Sequence, residues 1–409
     1  MRLNNLRTFD SLKIPALRIY FLGMAGQWAA SSMQSVVQYL LLFRLTGSTA
    51  ILGIMALASA IPQVLLVLFA GVLIDRFPKK TLLQIGQAAS ALTSITIAIF
   101  LIAGYLSSAH TGSWWILIVT SAVQGMANAL LGPLRQAIIP ELVDKDNVGN
   151  ATALNVIGMN IFQLVSPAFG GFLVDKVNFE AVFFTISGLY LLAIFLTNFI
   201  PVREVSFSGR RRVIAEMVEG FRYIRKNLMI LWILIFTLLC VMVVLPFNSM
   251  ISVFSDRILR VGATGLGLLQ GFSAGGSFIV ALCIASLAIK KRSMIMLSAG
   301  ILIGLAQAAF AFSTSFPLSL LLMVLIGMGT IGQAIMATIL LQTITDTAYL
   351  GRVLSIITLS TGIGGLVAFG CGFIAEAIGI QWTIGGVSLL LAVASILILF
   401  IVPKLRRID

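Results

Sequence analysis

The chain has 409 residues, of which 59% are hydrophobic and only 10% charged, and its mean hydropathy is +1.07. A soluble globular chain carries roughly 25% charge, so this composition excludes an ordinary soluble enzyme or binding module and reads as a polytopic membrane protein. The net charge of +13 does not point to nucleic acid, because of where the charges fall.

At about 20 residues per membrane span, the apolar runs number twelve and leave only short connections. The fold class expected is therefore all-α, with 12 transmembrane helices. With the N-terminus in the cytoplasm, all but four of the 27 Lys and Arg residues lie on the cytoplasmic side, the exceptions being Arg44, Lys176, Arg257 and Arg260. That asymmetry follows the positive-inside rule and puts both termini in the cytoplasm. Residues 1–16 mix Arg2, Arg7, Asp10 and Lys13 with leucines and lack an uncharged core, so they do not read as a cleaved signal peptide. Cys240, Cys283 and Cys371 fall inside apolar runs with no metal or disulfide spacing.

The first span, Leu17 to Phe43, closes at the turn-forming Thr46-Gly47-Ser48. Its polar residues Gln27, Ser31, Gln34 and Gln38 recur at helical spacing and share one face. Polar groups are costly in hydrocarbon unless they meet partners or water. The stripe thus predicts a cavity-facing surface, with Trp28 as an aromatic neighbour; interhelical hydrogen bonding is the other reading.

The second span (Ile51 to Ile74) and the third (Thr81 to Leu106) flank Gly71-Val-Leu-Ile-Asp-Arg-Phe-Pro-Lys-Lys80. Here Gly71 permits close helix approach, Asp75 and Arg76 sit where a helix meets water, and Lys79 and Lys80 hold the loop in the cytoplasm. The stretch resembles the signature loop between the second and third helices of the major facilitator superfamily. That resemblance implies a gate in which Asp75 holds the outward-facing state, pairing with Arg135 or with the start of span eleven near Gly351.

Span four, Trp114 to about Pro140, carries a second polar face in Gln124, Asn128 and Arg135. Its end, Leu131–Val143, together with Thr46-Gly47-Ser48 and Glu219–Arg225, is similar to the branch of the superfamily that includes macrolide and enterobactin exporters. Span five (Val148–Val174) contains Ser166-Pro167-Ala168-Phe169-Gly170-Gly171. Pro167 removes a backbone donor and kinks the helix, and Gly170 and Gly171 permit tight packing. The segment resembles the superfamily's antiporter signature, with serine replacing its first glycine. A span-four arginine of that antiporter pattern is replaced here by Ser121, and every one of the 14 acids sits at or beyond a helix end. Both departures weigh against proton antiport of the usual kind.

Span six ends at Pro201, and residues 202–227 form the boundary between the halves 1–201 and 228–409. Within it Ile214, Met217, Val218, Phe221 and Ile224 share a helical face, predicting an amphipathic cytoplasmic helix against anionic headgroups. Six further spans are expected near 228–255, 264–289, 293–313, 317–345, 350–376 and 380–402. Ala168–Asp175 recurs loosely as Ala368–Glu376, so the halves read as pseudo-repeats.

The single histidine, His110, lies in a turn, and no phosphate-binding Gly-rich loop is present. The chain is therefore read as a non-enzyme with no metal or cofactor. The family resemblance implies a secondary active exporter in the inner (plasma) membrane, monomeric, moving a small hydrophobic or weakly polar compound of drug, macrolide or siderophore type. Protons are the candidate coupling ion. In the superfamily, helices one, four, seven and ten line the cavity, which implies Gln27, Trp28, Gln34, Gln38, Gln124, Asn128, Asn248 and Gln333 as its walls. A lipid or lysolipid translocator and a non-transporting membrane sensor are the alternatives.

Overall fold

The computed structural model describes residues 14–110, 112–144, 147–200, 222–286 and 291–401, without the side chains of Leu68, Val72, Asp75, Ala285, Thr347, Ala348, Ser355 and Thr358. The expected amphipathic helix therefore lies mostly outside the described residues, which rejoin it at Arg222.

Twelve α-helices cross the molecule among those residues. The first half comprises α1 (Pro15–Thr46), α2 (Thr49–Arg76), α3 (Lys79–Ile102), α4 (Trp115–Leu142), α5 (Val148–Lys176) and α6 (Phe179–Thr197). The second comprises α7 (Leu228–Val253), α8 (Gly262–Ser286), α9 (Arg292–Phe312), α10 (Phe316–Ile344), α11 (Thr347–Ile378) and α12 (Ile380–Ile401). Eleven are apolar and long enough to cross a bilayer on composition alone. The twelfth, α1, has the length, with 32 residues, but Gln27, Gln34 and Gln38 dilute its hydropathy.

The helix ends follow local chemistry. Gly47 ends α1 with φ 63°, and its N–H reaches back to Phe43, a left-handed cap that glycine adopts without strain. Side chains of Ser48, Asn178 and Asn227 accept from the first amides of α2, α6 and α7. The third helix stops at Ile102 rather than Leu106, because Gly104 turns the chain at φ 70°. After Val253 the backbone continues as a π-turn, Phe254–Ile258, an irregularity often found at functional positions.

The halves meet along two helix pairs, α2 with α11 and α5 with α8. Small residues make these seams. A Cβ on Gly171 would lie 2.0 Å from the carbonyl oxygen of Ala263, and one on Gly267 would lie 2.3 Å from that of Pro167. Across the other seam, a Cβ on Gly372 would come within 2.7 Å of the Thr49 carbonyl oxygen. In lipid, such close backbone approach supplies dispersion contact that hydrophobicity cannot provide between helices.

Candidate functional site

Between the halves lies a cavity of about 480 Å³, walled by α1, α2, α4, α5, α7, α8, α10 and α11. Its α1 wall is Ser31, Ser35 and Tyr39 with Ser32 beside them, one stripe at i, i+4, i+8. Gln63, Gln163, Gln270 and Thr361 come from the four seam helices, with Asn128 from α4 and Asn248 from α7. The wall thus offers hydroxyls, amides and one phenol, and none of its described residues is Asp, Glu, Lys or Arg.

Of the eight residues expected on this wall, the structure brings Asn128 and Asn248 to it. The other six turn into the bodies of the halves. Gln34 Nε2 donates to Thr93 Oγ1 at 3.1 Å, and Gln38 Nε2 donates to the Leu117 carbonyl oxygen at 3.0 Å and Thr120 Oγ1 at 3.1 Å. Gln87 Nε2 donates to Gln27 Oε1 at 3.0 Å, and Thr197 Oγ1 donates to Gln87 Oε1. Gln124 sits between Thr93 and Tyr190 at 3.5 Å from each. In the second half, Gln333 Nε2 donates to Thr237 Oγ1 at 3.2 Å. Trp28 is buried, set edge-on to Phe21, and fills the space left by the missing Cβ of Gly158.

The reason is angular. Gln27, Gln34 and Gln38 do share a face of α1, but that face meets α3 and α4, where long amides find bonding partners. The stripe of Ser31, Ser35 and Tyr39 is centred about 80° around the helix and faces the gap between the halves. Ser31, at the edge of the amide face, is thus the member of the expected stripe that does reach the cavity. Ser31, Ser32 and Ser35 stood in the sequence as a signal, yet small hydroxyls in a membrane helix equally suit packing. Gln63, Gln163 and Gln270 were legible as isolated amides in apolar runs.

The two ends of the cavity differ. We call the end where α1 begins the near end and the opposite one the far end. At the far end the halves are bonded together. Arg44 pairs with Asp256 at 2.8 Å, and Arg257 Nη2 donates to the Gly47 carbonyl oxygen at 2.7 Å while its guanidinium stacks over Phe43. The π-turn after α7 is what aims Asp256 and Arg257 at the end of α1. Asp175, ending α5, accepts from the Ala263 and Thr264 amides that begin α8. Glu376, ending α11, accepts from Ser48 Oγ and the Ala50 amide at the start of α2. The loose repeat between Ala168–Asp175 and Ala368–Glu376 thus has a structural meaning: each acid caps the partner half's helix.

At the near end the described signature residues bond within the first half. A Cβ on Gly71 would meet nothing within 4 Å, so the close approach expected at Gly71 is not made in this conformation. Arg76 is exposed. Lys79 pairs with Glu141 and donates to the Ala137 carbonyl oxygen, and Lys80 donates to that of Asn198. The basic pair therefore ties α3 to α4 and α6 within one half, a role the sequence did not announce. Arg135 Nε donates to the Leu131 carbonyl oxygen at 3.1 Å on its own helix; the expected Asp75 partnership lies outside the described side chains.

Pro167 lines the cavity, Gly170 faces Met33 and Val37, and Gly171 packs on Ala263. The segment thus combines a cavity wall with the α5–α8 seam. Ser121, where an antiporter would carry arginine, is buried with its Oγ donating to the Ile118 carbonyl oxygen and lying 3.4 Å from that of Met55. One turn on, a Cβ at Gly125 would lie 2.2 Å from the Ser59 carbonyl oxygen. That face of α4 is pressed against α2 and has no room for a guanidinium.

Twelve helices in two six-helix halves, joined at two seams around a central polar cavity with one end closed, define a transporter of the facilitator fold. The model of the Major Facilitator Superfamily matches residues 19–369, and the chain belongs to that family. It is 23% identical to the multidrug efflux pump Tap of Mycolicibacterium fortuitum over 97% of each chain. It is 22% identical to macrolide efflux protein A of Streptococcus pyogenes, over 94% of this chain and 96% of that one. The crystal structure of the nucleoside transporter NupG superimposes with a TM-score of 0.72 at 15% identity, covering 97% of this chain and 100% of that one.

Proposed function

We propose that the protein is a secondary active exporter of a small, uncharged or weakly polar, rather hydrophobic compound, working by alternating access. The carrying observation is the cavity wall: 25 residues supplying hydroxyls, amides and apolar surface with no fixed charge. Such a wall orients a ligand through a few hydrogen bonds while burying its apolar body. A densely anionic substrate would instead need desolvated cations opposite it. The efflux-type relatives supply the direction. With the near end in the cytoplasm, as the basic residues there suggest, this conformer faces inward, and export requires the far-end bonds to open as the near end closes on Asp75 and Gly71.

Protons are the candidate coupling ion, and because every acid sits at or beyond a helix end, Asp75 or a charge borne by the substrate is what would carry the coupling. Proteoliposomes test both statements. Counterflow of a neutral amphiphilic dye is expected, accelerated by an imposed pH gradient, whereas a dianionic dye of similar size is expected to stay put. Preferential flux of the dianion would overturn the substrate class, and absence of substrate-dependent flux would favour a sensor.

A further inference from the structure

A second pocket, about 500 Å³, lies on the flank of the bundle between α2, α7 and α11. Its walls include Ile61 and Leu65 of α2, Leu234 and Leu238 of α7, and Ile357 and Ile363 of α11. Ile61, Leu65 and Ile363 are exposed in the bare protein, so in a membrane the pocket opens to hydrocarbon. Its two hydroxyls are already committed. Thr237 Oγ1 donates to the Ile233 carbonyl oxygen and accepts from Gln333, and Ser360 Oγ donates to the Ile357 carbonyl oxygen. The pocket therefore has nothing with which to orient a polar ligand and suits a plain hydrocarbon chain.

Its length suits one leaflet. From Leu231 to Leu238 the α7 wall rises about 10 Å at 1.5 Å per residue, and Ile224, also in the wall, extends it towards the near-end interface. Half the hydrocarbon core is about 15 Å. At that interface the chain turns cationic. Arg222, Arg225 and Lys226 are exposed on the turn that carries Ile224. The turn is fixed in place, since Tyr223 stacks on Tyr349 at 4.3 Å and its hydroxyl bonds Asp346 Oδ2 at 3.1 Å. Among the described residues, Asp346 is the acid bonded at this turn, through Tyr223, beside the three cations Arg222, Arg225 and Lys226.

We propose that the α2–α7–α11 pocket holds an acyl chain of an anionic phospholipid whose phosphate rests on Arg222, Arg225 and Lys226. The lipid sits beside the α2–α11 seam, where Val64 fills the space at Gly362. This site is separate from the central cavity and takes a resident lipid.

The test uses the full chain, delipidated and then mixed with dioleoylphosphatidylglycerol or dioleoylphosphatidylcholine, read by native mass spectrometry. One phosphatidylglycerol is expected to be retained in preference to phosphatidylcholine. Changing Arg222, Arg225 and Lys226 together to Gln should weaken it on the order of a hundredfold, at about 1 kcal/mol per basic residue near a lipid surface and about 1.4 kcal/mol per tenfold. Leu238→Trp fills the pocket and should weaken both lipids alike, and Ser360→Phe does so from the facing helix. Dihexanoylphosphatidylglycerol, with the headgroup but too little chain, should bind more weakly. Equal retention of the two headgroups, indifference to both filling variants, equal binding of the short-chain lipid, or occlusion of this face in a dimer would each overturn the proposal.

Discussion

Asp175 accepts hydrogen bonds from both the backbone amide and the hydroxyl of Thr264, each at 2.7 Å. The acid ends α5 in one half and the threonine begins α8 in the other, so a helix cap closes an interface between domains. Gly262, at φ 68°, turns the chain so that these amides face the carboxylate. Glu376 repeats the arrangement on Ser48 and Ala50. An anion at a helix N-terminus is favoured by unpaired amides and by the helix dipole.

Asp175→Asn and Glu376→Gln should each loosen the far end. Both acids are at the water interface, where screening leaves about 0.5–1 kcal/mol per latch, enough to shift the conformer ratio several-fold. With Cys240, Cys283 and Cys371 replaced, labelling of a cysteine placed at Ser35 in the cavity wall by an impermeant thiol reagent from the far side should rise in Asp175→Asn, with transport altered and expression kept. Unchanged labelling in that variant would show this latch to be independent of the gate.

Gln34→Ala and Asn128→Ala should separate cleanly. Gln34 is buried and bonded to Thr93, and removing one partner of a buried pair costs about 1–3 kcal/mol. Its melting temperature should drop by several degrees while the substrate profile of the surviving protein stays the same. Asn128 is exposed to the cavity, so its variant should keep its melting temperature and change affinity or profile. The reverse pattern would place the amide stripe of α1 in contact with substrate in another conformer.

Gly171→Val should abolish closure of the α5–α8 seam, because even a Cβ lies 2.0 Å from a backbone oxygen. Gly71→Ala, with nothing within 4 Å, should leave folded yield unchanged and slow transport only through the conformer in which the near end closes. Asp75→Asn is expected to impair transport with expression intact. Wild-type transport by both near-end variants would reduce that loop to a topology signal.

Reporter fusions check the orientation. Alkaline phosphatase joined after Lys80 or Lys291 should be inactive, and the same fusion after His110 should be active. An active Lys80 fusion would invert the near and far ends in the membrane.

Much of the fold was legible because hydrocarbon leaves the backbone few options. Apolar runs of span length, the basic residues between them, the turn at Gly47 and the break after residue 200 determine twelve helices in two halves without any neighbour being known. The repeat of Ala168–Asp175 in Ala368–Glu376 likewise marked positions that the structure turned into paired caps. Only the tertiary structure decided which polar face of α1 meets the cavity. Periodicity tells which residues share a side of a helix, but which neighbour that side meets depends on how the helix is rotated against the others. So Gln34 found Thr93, the serines found the gap, and Lys79 found Glu141. The closed far end was likewise decided by packing, since glycines such as Gly171 and Gly71 look alike in sequence and differ only in what stands opposite them.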